Sequence, residues 1–233
     1  VLFNWTVDTL PPTTAINTAI DGNNGTLVSG NSTMSTSMSF TFSGNDRGLE
    51  NNGVGIKQIE CSIDNSNFTA CVSPVEITPN ILTDGNHTFK IRAEDNVGNM
   101  NPAPASFSWT IDTVPPTTII NSAIDGNNST ITNSSNTKSN AVMFEFSGND
   151  TGGVGIDHLE CSLDGTSFSA CTSPVQFTSA NITDGTHTFE VLSVDNSTNK
   201  DPSPASFNWK VDTIAPTTII NSAIDGNNST ITN

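Results

Sequence analysis

The chain repeats itself with a period of about one hundred residues, and this feature limits its fold more than any other. A ten-residue segment that starts at Trp5 recurs at Trp109 and at Trp209, at offsets of 104 and 100 residues. Residues 116–133 and 216–233 are identical over 18 positions. Self-similarity at a fixed period indicates a tandem array of small units. The near-copying also suggests that the array belongs to a longer polymer of repeats.

Within each repeat, the apolar residues follow the period of a β-strand. Apolar and polar side chains alternate with a period of two, as they do in strands with one buried face. Asp-Gly turn signals separate these segments, and no window has a convincing helical period. The alternating segments are residues 38–42, 59–63, 89–93, 107–111 and 142–146. A repeat of this length with about seven strands is typical of an immunoglobulin-like sandwich, in which two antiparallel sheets close over one core.

The sequence therefore predicts an all-β fold of tandem immunoglobulin-like β-sandwich domains joined by short Pro-rich junctions. We predict one domain over residues 10–112 and a second over residues 113–212. Residues 1–9 match the terminal strand of a preceding repeat, and residues 213–233 match the opening strand of a following one. Consecutive prolines, as at Pro115 and Pro116, fix φ and favour an extended chain, so the junctions should be stiff.

The four cysteines form two pairs with the same spacing, Cys61 with Cys71 and Cys161 with Cys171. An even number of cysteines in such a pattern favours disulfides and an oxidising compartment. Only nine residues separate the members of each pair, so each bridge should staple one hairpin. The closely spaced cysteine pairs of a typical zinc site are missing.

The charge balance excludes one class of function directly. The chain has 23 acidic and 7 basic residues and a formal net charge of −16, so a nucleic-acid binder is excluded. Only 13% of the residues are charged, and the surface should be rich in uncharged Asn, Ser and Thr. No run of 18 apolar residues and no signal peptide is present. This composition suits an extracellular coat or stalk, and the start at Val1 suggests a processed product or a slice of something longer.

The second repeat carries a combination of motifs that resembles a known family. Residues 160–174 contain the cysteine pair around Asp164 and Gly165, and Asp-Gly-Thr-His-Thr-Phe follows at 184–189. Asp195 and the segment Pro-Ala-Ser-Phe-Asn-Trp-Lys-Val-Asp at 204–212 complete the pattern. The chain resembles the immunoglobulin-like repeat of large bacterial and archaeal surface proteins. The resemblance implies a non-catalytic module of secreted stalks, adhesins or surface filaments, without an active site.

The candidates for catalysis are few. His87 and His187 precede a Thr-Phe pair at equivalent positions, which indicates a structural role in a turn rather than a general base. His158 has no histidine counterpart in the other repeat. We therefore expect no enzyme activity and no required cofactor.

Calcium binding at the junctions is a more serious hypothesis. In an immunoglobulin-like topology, the loops after the second and sixth strands lie at the end where the chain enters. Aspartates from these loops and from the incoming chain could converge there and offer oxygen ligands to a hard cation. The alternative is that these residues only end strands and form turns. The candidate ligands are Asp8, Asp46 and Asp95 at one junction and Asp112, Asp150 and Asp195 at the next.

N-glycosylation is the second hypothesis for chemistry at the surface. The chain has thirteen Asn-X-Ser/Thr sequons, more than the number expected from its composition alone. Glycans would also cover exposed strand edges. The favoured sites are Asn31, Asn67, Asn86, Asn128 and Asn181.

The predicted function is that of a structural repeat protein of a prokaryotic cell surface that self-associates into a filament or fibre. The terminal segments would pair with neighbouring copies or continue the polymer. The alternatives are the spacer of a surface adhesin and an accessory module of a secreted enzyme. Leu192 and Val194 should lie on the outward face of their strand, where the first repeat has Arg92 and Glu94, which predicts lateral packing against another surface.

Overall fold

The structure is a computed structural model that describes residues 2–3, 5–47, 53–79, 81–224 and 226–231. Its described part contains strands and turns and no helix, which confirms the predicted all-β class. In that part we also find no helix with the length and apolar character that a bilayer crossing requires. Val1, Asn4, Asp225 and residues 232–233, which belong to the predicted terminal strands, lie outside the described residues.

The first repeat builds two sheets from eight strands. Strands β2 and β8 pair in parallel, and the remaining neighbours pair in antiparallel fashion. One sheet has the order β1-β3-β6 and the other the order β2-β8-β7-β4-β5. The strands are β1 (Thr13–Asp21), β2 (Ser32–Thr33), β3 (Met38–Asn45), β4 (Ile56–Ile63), β5 (Thr69–Cys71), β6 (Val75–Ile77), β7 (Gly85–Asp95) and β8 (Ala105–Ile111).

The second repeat has the same set of strands in the same order. Its sheets are β14-β11-β9 and β10-β16-β15-β12-β13. The strands are β9 (Thr117–Asp125), β10 (Ser135–Thr137), β11 (Val142–Asn149), β12 (Ile156–Leu163), β13 (Ser169–Cys171), β14 (Val175–Phe177), β15 (Gly185–Asp195) and β16 (Ala205–Val211). Two short strands follow, β17 (Ala223–Ile224) and β18 (Thr230–Ile231).

The alternating residues of facing strands form an aromatic core between the two sheets of each repeat. In the first repeat, Phe40 on β3 stacks on Phe89 on β7 with ring centroids 4.3 Å apart, and Trp109 on β8 packs at 5.4 Å. Phe144 and Phe189 repeat this stack at 4.4 Å in the second. These rings are almost completely buried, and burial of a large apolar side chain stabilises a fold by about 2–3 kcal/mol. Burial of these faces therefore holds each pair of sheets together.

Each cysteine pair forms a disulfide across a single hairpin. Cys61 on β4 is bonded to Cys71 on β5, and Cys161 on β12 is bonded to Cys171 on β13, both with Cα atoms 5.8 Å apart. Each bridge stays within one sheet, because β4 with β5 and β12 with β13 are neighbouring strands. In the chain-entropy view, closing a loop of about 11 residues is worth about 2.8 kcal/mol.

The chain divides into two compact units that do not follow the sequence repeat. One unit consists of Val1–Thr118, Gly148–Glu160 and Leu192–Pro204, and the other of Ile119–Ser147, Cys161–Val191 and Ala205–Asn233. The domain boundaries at residues 9, 112 and 212 therefore stay a prediction from the sequence repeat. Residues 5–12 and 213–222 form no strand, and Trp5 is 80% exposed.

Candidate metal sites

Six aspartates form two equivalent groups, and all of them except Asp8 lie at the end of a strand or directly after one. In the second group, Asp112 directly follows β8, Asp150 directly follows β11, and Asp195 is the last residue of β15. Strand ends bring the chain into turns, so each of these three carboxylates stands where the regular pairing stops. All six aspartates belong to the first compact unit.

The structure brings together the aspartates that the predicted immunoglobulin-like topology places at each junction. Each aspartate offers one carboxylate oxygen, and the three oxygens of a group lie within 4.8 Å of one another. One group consists of Asp8, Asp46 and Asp95, and the other of Asp112, Asp150 and Asp195. Hereafter they are called the first cluster and the second cluster.

Backbone amides fix the carboxylates of the second cluster. Asp112 accepts hydrogen bonds at Oδ1 from the Val114 amide (3.0 Å) and at Oδ2 from the Val154 amide (2.9 Å). Asp150 Oδ2 accepts one from the Gly155 amide at 2.7 Å. These bonds aim the side chains before any ligand arrives.

Asn199 completes the set of hydrogen bonds that holds the carboxylates of the second cluster. The backbone amide of Asn199 donates to Asp195 Oδ1 at 2.8 Å, and its side-chain amide donates to Asp195 Oδ2 at 2.7 Å. The same side chain donates to the backbone carbonyl of Asp112 at 2.9 Å. Asn199 thus ties the carboxylate from β15 to the segment that follows β8.

Equivalent residues make the same hydrogen bonds in the first cluster. Asp8 accepts from the Leu10 amide at 3.0 Å and Asp46 from the Gly55 amide at 2.6 Å. Asn99 donates to Asp95 Oδ2 at 2.8 Å and to the carbonyl of Asp8 at 3.1 Å. The two repeats therefore reach the same arrangement.

Each cluster contains one carboxylate oxygen with unsatisfied bonding capacity. Asp46 Oδ1 and Asp150 Oδ1 are both buried and have no hydrogen-bond partner. Leaving a buried polar atom unpaired costs about 1–3 kcal/mol, and more for a charged group. The neighbouring residues Asp95, Asp112 and Asp195 are 0–3% exposed, so solvent screens the repulsion between carboxylates poorly. Both clusters therefore present a concentrated, incompletely satisfied negative charge.

The carboxylate of Asp95 is held in its charged form. Burial alone would raise the pKa of Asp95, but the hydrogen bonds donated by Asn99 and Val97 outweigh it and lower the pKa below its usual range. A deprotonated carboxylate is the form that binds a cation. These hydrogen bonds thus favour the deprotonated carboxylate, which can bind a cation, over the protonated acid.

A glycine leaves room beside each cluster. A Cβ atom at Gly153 would overlap the carboxylate oxygens of Asp150 and Asp112, and one at Gly53 would overlap the backbone carbonyl of Asp46. Any larger residue at Gly153 would therefore displace the candidate ligands. The sequence alone does not reveal this close approach.

Sequence reasoning also missed the two asparagines that organise the clusters. The signal is present as Asp-x-x-x-Asn at 95–99 and again at 195–199. In the sequence this pattern indicates only turns, because Asp and Asn are common there.

The favoured glycosylation sites lie at the surface. All five asparagine side chains are exposed, namely Asn31, Asn67, Asn86, Asn128 and Asn181. The sequon threonine of Asn31 is different, since Thr33 is 3% exposed and donates to Asp21 Oδ2 at 2.6 Å.

The histidines are held in polar contacts at the positions expected for structural residues. His87 and His187 are buried beside the turns that precede β7 and β15. His158 contacts Asp157 Oδ2 at 2.7 Å and Glu160 Oε1 at 3.4 Å, and these two carboxylates raise its pKa.

Leu192 and Val194 are covered on the outer face of their strand, as predicted, but the chain itself covers them and no second surface is needed. Leu192 is 7% and Val194 is 3% exposed within the chain itself, and all five residues from Val191 to Asp195 are buried. This end of β15 is therefore covered on both faces, so the alternation between buried and exposed positions is lost. The two side chains offer no free surface for lateral packing.

Comparisons with known proteins give similar folds but no family. No protein-family model and no curated protein sequence matches the chain. Similar solved structures include the fibronectin(III)-like modules of Clostridium thermocellum CbhA, with a TM-score of 0.46 and 12% identity over 85% of this chain and 94% of that one.

Two adhesins are also similar in structure. One is a 1.5-MDa bacterial ice-binding adhesin, with a TM-score of 0.38, 15% identity and coverage of 87% of this chain and 65% of that one. The other is a Ca²⁺-stabilized adhesin of an Antarctic bacterium, with a TM-score of 0.36, 14% identity and coverage of 87% and 57%. The chain spans less than two thirds of the length of either adhesin chain. All three TM-scores are below 0.5, so the fold assignment rests on the sheets of the chain itself.

Proposed function

We propose that the chain is a non-catalytic, extracellular structural module whose repeats bind Ca²⁺ at the two aspartate clusters. The observation that carries this proposal is the recurrence of one arrangement: three converging carboxylates, a buried oxygen without a partner, and an asparagine that fixes the frame. Turn formation alone does not require three carboxylates to converge.

The chemistry of the clusters suits a hard divalent cation. Ca²⁺ binds six to eight oxygen ligands in flexible geometry, and carboxylates are prominent among them. Asp112, Asp150 and Asp195 would hold the ion in the second cluster, as Asp8, Asp46 and Asp95 would in the first. Ca²⁺ would offset the repulsion between the carboxylates and supply a partner for the unpaired oxygen. Binding would therefore stabilise the folded chain by mass action.

Thermal unfolding with CaCl₂ or with EDTA tests this function. We expect millimolar CaCl₂ to raise the Tm of the wild-type chain, since extracellular calcium modules bind in the range of about 10⁻⁴–10⁻³ M. Asp150→Asn should lose part of this gain. Asp157→Asn is the matched control, because Asp157 has a side chain that is 57% exposed and lies outside both clusters. Equal Tm values in CaCl₂ and EDTA for the wild type would reject the proposal.

An extracellular location is supported by the two disulfides. Such bonds persist in oxidising environments and are rare in the cytosol. A surface rich in uncharged polar residues and a net charge of −16 also suit a protein that must stay soluble outside the cell. We place the module at a prokaryotic cell surface, as a repeat of a stalk, adhesin or fibre.

Assembly into a filament is a second candidate function, and it is favoured by the exposed terminal segments. Trp5 is 80% exposed, whereas its sequence counterparts Trp109 and Trp209 are 1–2% exposed in the cores. Thr218 and Ala223 are exposed as well, whereas their counterparts Thr118 and Ala123 are buried. Pairing with another repeat, in a neighbouring copy or further along the same polymer, would bury these side chains.

Sedimentation over a range of concentrations and negative-stain microscopy test this assembly. Long uniform fibres that are lost in Trp5→Asp would support pairing between copies. A monomer at every concentration would reject pairing between copies. Thin isolated stalks in the native material would favour the adhesin spacer instead, and a catalytic domain encoded in the same gene would favour the accessory module.

N-glycans would shield the surface of the two repeats. Asn67, Asn128 and Asn181 are the stronger candidates, because in each sequon both the asparagine and the threonine are exposed. Asn31 would have to be modified before folding, since Thr33 is buried in the folded chain. Intact mass and glycopeptide analysis of native material tests this order of occupancy, and a lack of glycan at Asn67, Asn128 and Asn181 would contradict it.

A further inference from the structure

Two histidines with no role in the proposed function are buried at equivalent positions, and each ring faces two hydrogen-bond acceptors. His187 Nδ1 lies 2.8 Å from Asp164 Oδ2, and its Nε2 lies 2.7 Å from the carbonyl oxygen of Thr183. In the first repeat, the corresponding distances from His87 are 2.8 Å to Asp64 Oδ2 and 2.6 Å to the carbonyl of Thr83. The two histidines are 6–7% exposed.

The acceptors decide the protonation of the ring. A backbone carbonyl and a carboxylate can only accept, whereas a neutral imidazole has one N–H donor and one acceptor nitrogen. A neutral ring would therefore leave one of the two short contacts without a proton. Only the doubly protonated imidazolium satisfies both contacts at the same time.

The surroundings accommodate a positive charge. Asp164 faces the ring from the turn after β12, and its other oxygen accepts from the Thr188 amide at 2.8 Å. The indole of Trp209 on β16 lies 5.4 Å from the imidazole between centroids, within the range of a cation–π contact. Trp109 stands at 5.5 Å from His87 in the same way.

The other charged groups near the histidine rings either bind other residues or lie opposite other residues in the strand pairing. Asp184, in the turn before β15, accepts from the Thr213 hydroxyl at 2.8 Å, and Lys210 on β16 stands opposite Thr186 in the strand pairing. In the first repeat, Asp84 likewise accepts from Thr113, and an uncharged threonine stands in place of the lysine. Asp64 and Asp164 are therefore the charged groups that contact the two rings.

We propose that His187 is a buried imidazolium ion that clamps the turn inside the second disulfide loop to the turn before β15, and that this clamp loosens when the pH rises. Asp164 lies between Cys161 and Cys171, whereas Thr183 lies in the turn before β15. Loss of one proton breaks one of the two contacts and separates these turns. The clamp is a pH-sensitive device in the second repeat, and His87 makes the equivalent two contacts in the first repeat.

The direction of the pH dependence follows from the same contacts. Burial alone would lower the pKa of His187, but the hydrogen bonds to Thr183 and Asp164 outweigh it and raise the pKa above the usual 6.5. A histidine with a raised pKa in the folded state contributes stability that is fully present below the unfolded pKa. That contribution is lost as the pH rises through the folded pKa.

Nitrogen-15 NMR of the histidine rings in the full chain tests the proposal directly. At pH 6.5, we expect both ring nitrogens of His187 to carry a proton, and the second N–H should be lost in alkaline solution. A His187 ring with a single N–H at pH 6.5 would overturn the proposal. His158, which has a side chain that is 39% exposed, is the internal reference for ordinary exchange with solvent.

Urea unfolding as a function of pH provides a second, independent readout. The unfolding equilibrium constant of His187→Gln, divided by that of the wild type, should be largest in mild acid and should fall towards one above neutral pH. Gln176→Ala, which changes an exposed residue and removes no titratable group, is the control and should give a ratio that does not change with pH. A ratio for His187→Gln that is constant from mild acid to alkaline pH would contradict the clamp. If this variant does not fold, the NMR result on the wild type decides alone.

Discussion

The two repeats have the same core and the same aspartate cluster, yet they differ on the outer face of the long strand. In the first repeat, Arg92 on β7 binds Glu60 at 2.7 Å, and Glu94 binds Lys57 at 2.9 Å. In the second repeat, the positions of Arg92 and Glu94 hold Leu192 and Val194, which are buried. The inner face and the strand ends are thus alike in the two repeats, whereas the outer face carries ion pairs in the first repeat and buried apolar side chains in the second.

The neighbouring positions change together with these residues. Lys57 on β4 corresponds to Asp157 on β12, so a glutamate at position 194 would lack the partner that Glu94 has, and the lysine that pairs with Val194, Lys200, is already bound to Glu160. Glu160 keeps its place and is bound instead by Lys200 at 2.7 Å. The two outer faces are therefore alternative sets of interactions, and a residue from one set should not fit the other.

The substitution Val194→Glu should disturb the outer face of the second repeat more than any other single change. It places a carboxylate at a position that is 3% exposed, next to the equivalent of Lys57, which is now an aspartate. We expect a loss of about 3 kcal/mol in the free energy of unfolding, because an uncompensated buried charge costs about that much. Urea unfolding measures it. The reverse change in the first repeat, Glu94→Val, is the matched control and should cost less than half as much.

Removal of either disulfide should have almost the same effect in both repeats. The two bridges close loops of equal length, so each double change to serine should cost about 2.8 kcal/mol. The double variant of Cys161 and Cys171 is compared with that of Cys61 and Cys71 in the same unfolding experiment. A difference of more than about 1 kcal/mol would show that the surrounding sheets, and not loop closure, set the contribution of the bridge.

The two aspartate clusters should respond differently to CaCl₂. Asp112 in the second cluster is 3% exposed, whereas its counterpart Asp8 is only partly buried. We therefore expect Asp150→Asn to lose more of the calcium-dependent rise in stability than Asp46→Asn, by about 1 kcal/mol. Differential scanning calorimetry with CaCl₂ and with EDTA measures both. In EDTA each substitution should stabilise the chain slightly, because it removes repulsion.

The smallest expected effect on stability concerns Asp125, which is the last residue of β9 and precedes a turn. Burial would raise the pKa of Asp125, but the hydrogen bonds from Thr137, Ser129 and Asn127 outweigh it and lower the pKa below 3.8. The stabilisation is therefore present above the unfolded pKa and is lost as the pH falls through the lower folded pKa. Stability curves of wild type and Thr137→Val should converge in acid. Curves that stay parallel down to the acid transition would be inconsistent with this role.

The fold and the grouping of the aspartates were accessible from the sequence for a physical reason. Alternation with a period of two places Phe40 and Phe144 inside a sandwich, and topology then brings the strand ends together. The apolar side chains of Leu192 and Val194 indicated that their outer face is covered, but that the chain itself covers them depends on tertiary contacts that the sequence does not give. The proton count at His187 depends on the exact positions of two acceptors, which the sequence does not give.

Titration of the ¹⁵N-labelled chain with CaCl₂ at constant ionic strength, observed through the backbone amides, tests cation binding at the clusters themselves. Binding predicts saturable shifts at Val54, Gly55 and Asn99 and at Val154, Gly155 and Asn199, with the first three lost in Asp46→Asn and the last three in Asp150→Asn. Spectra that do not change with CaCl₂, or shifts that survive both substitutions, would contradict the assignment of these carboxylates as ligands of a cation.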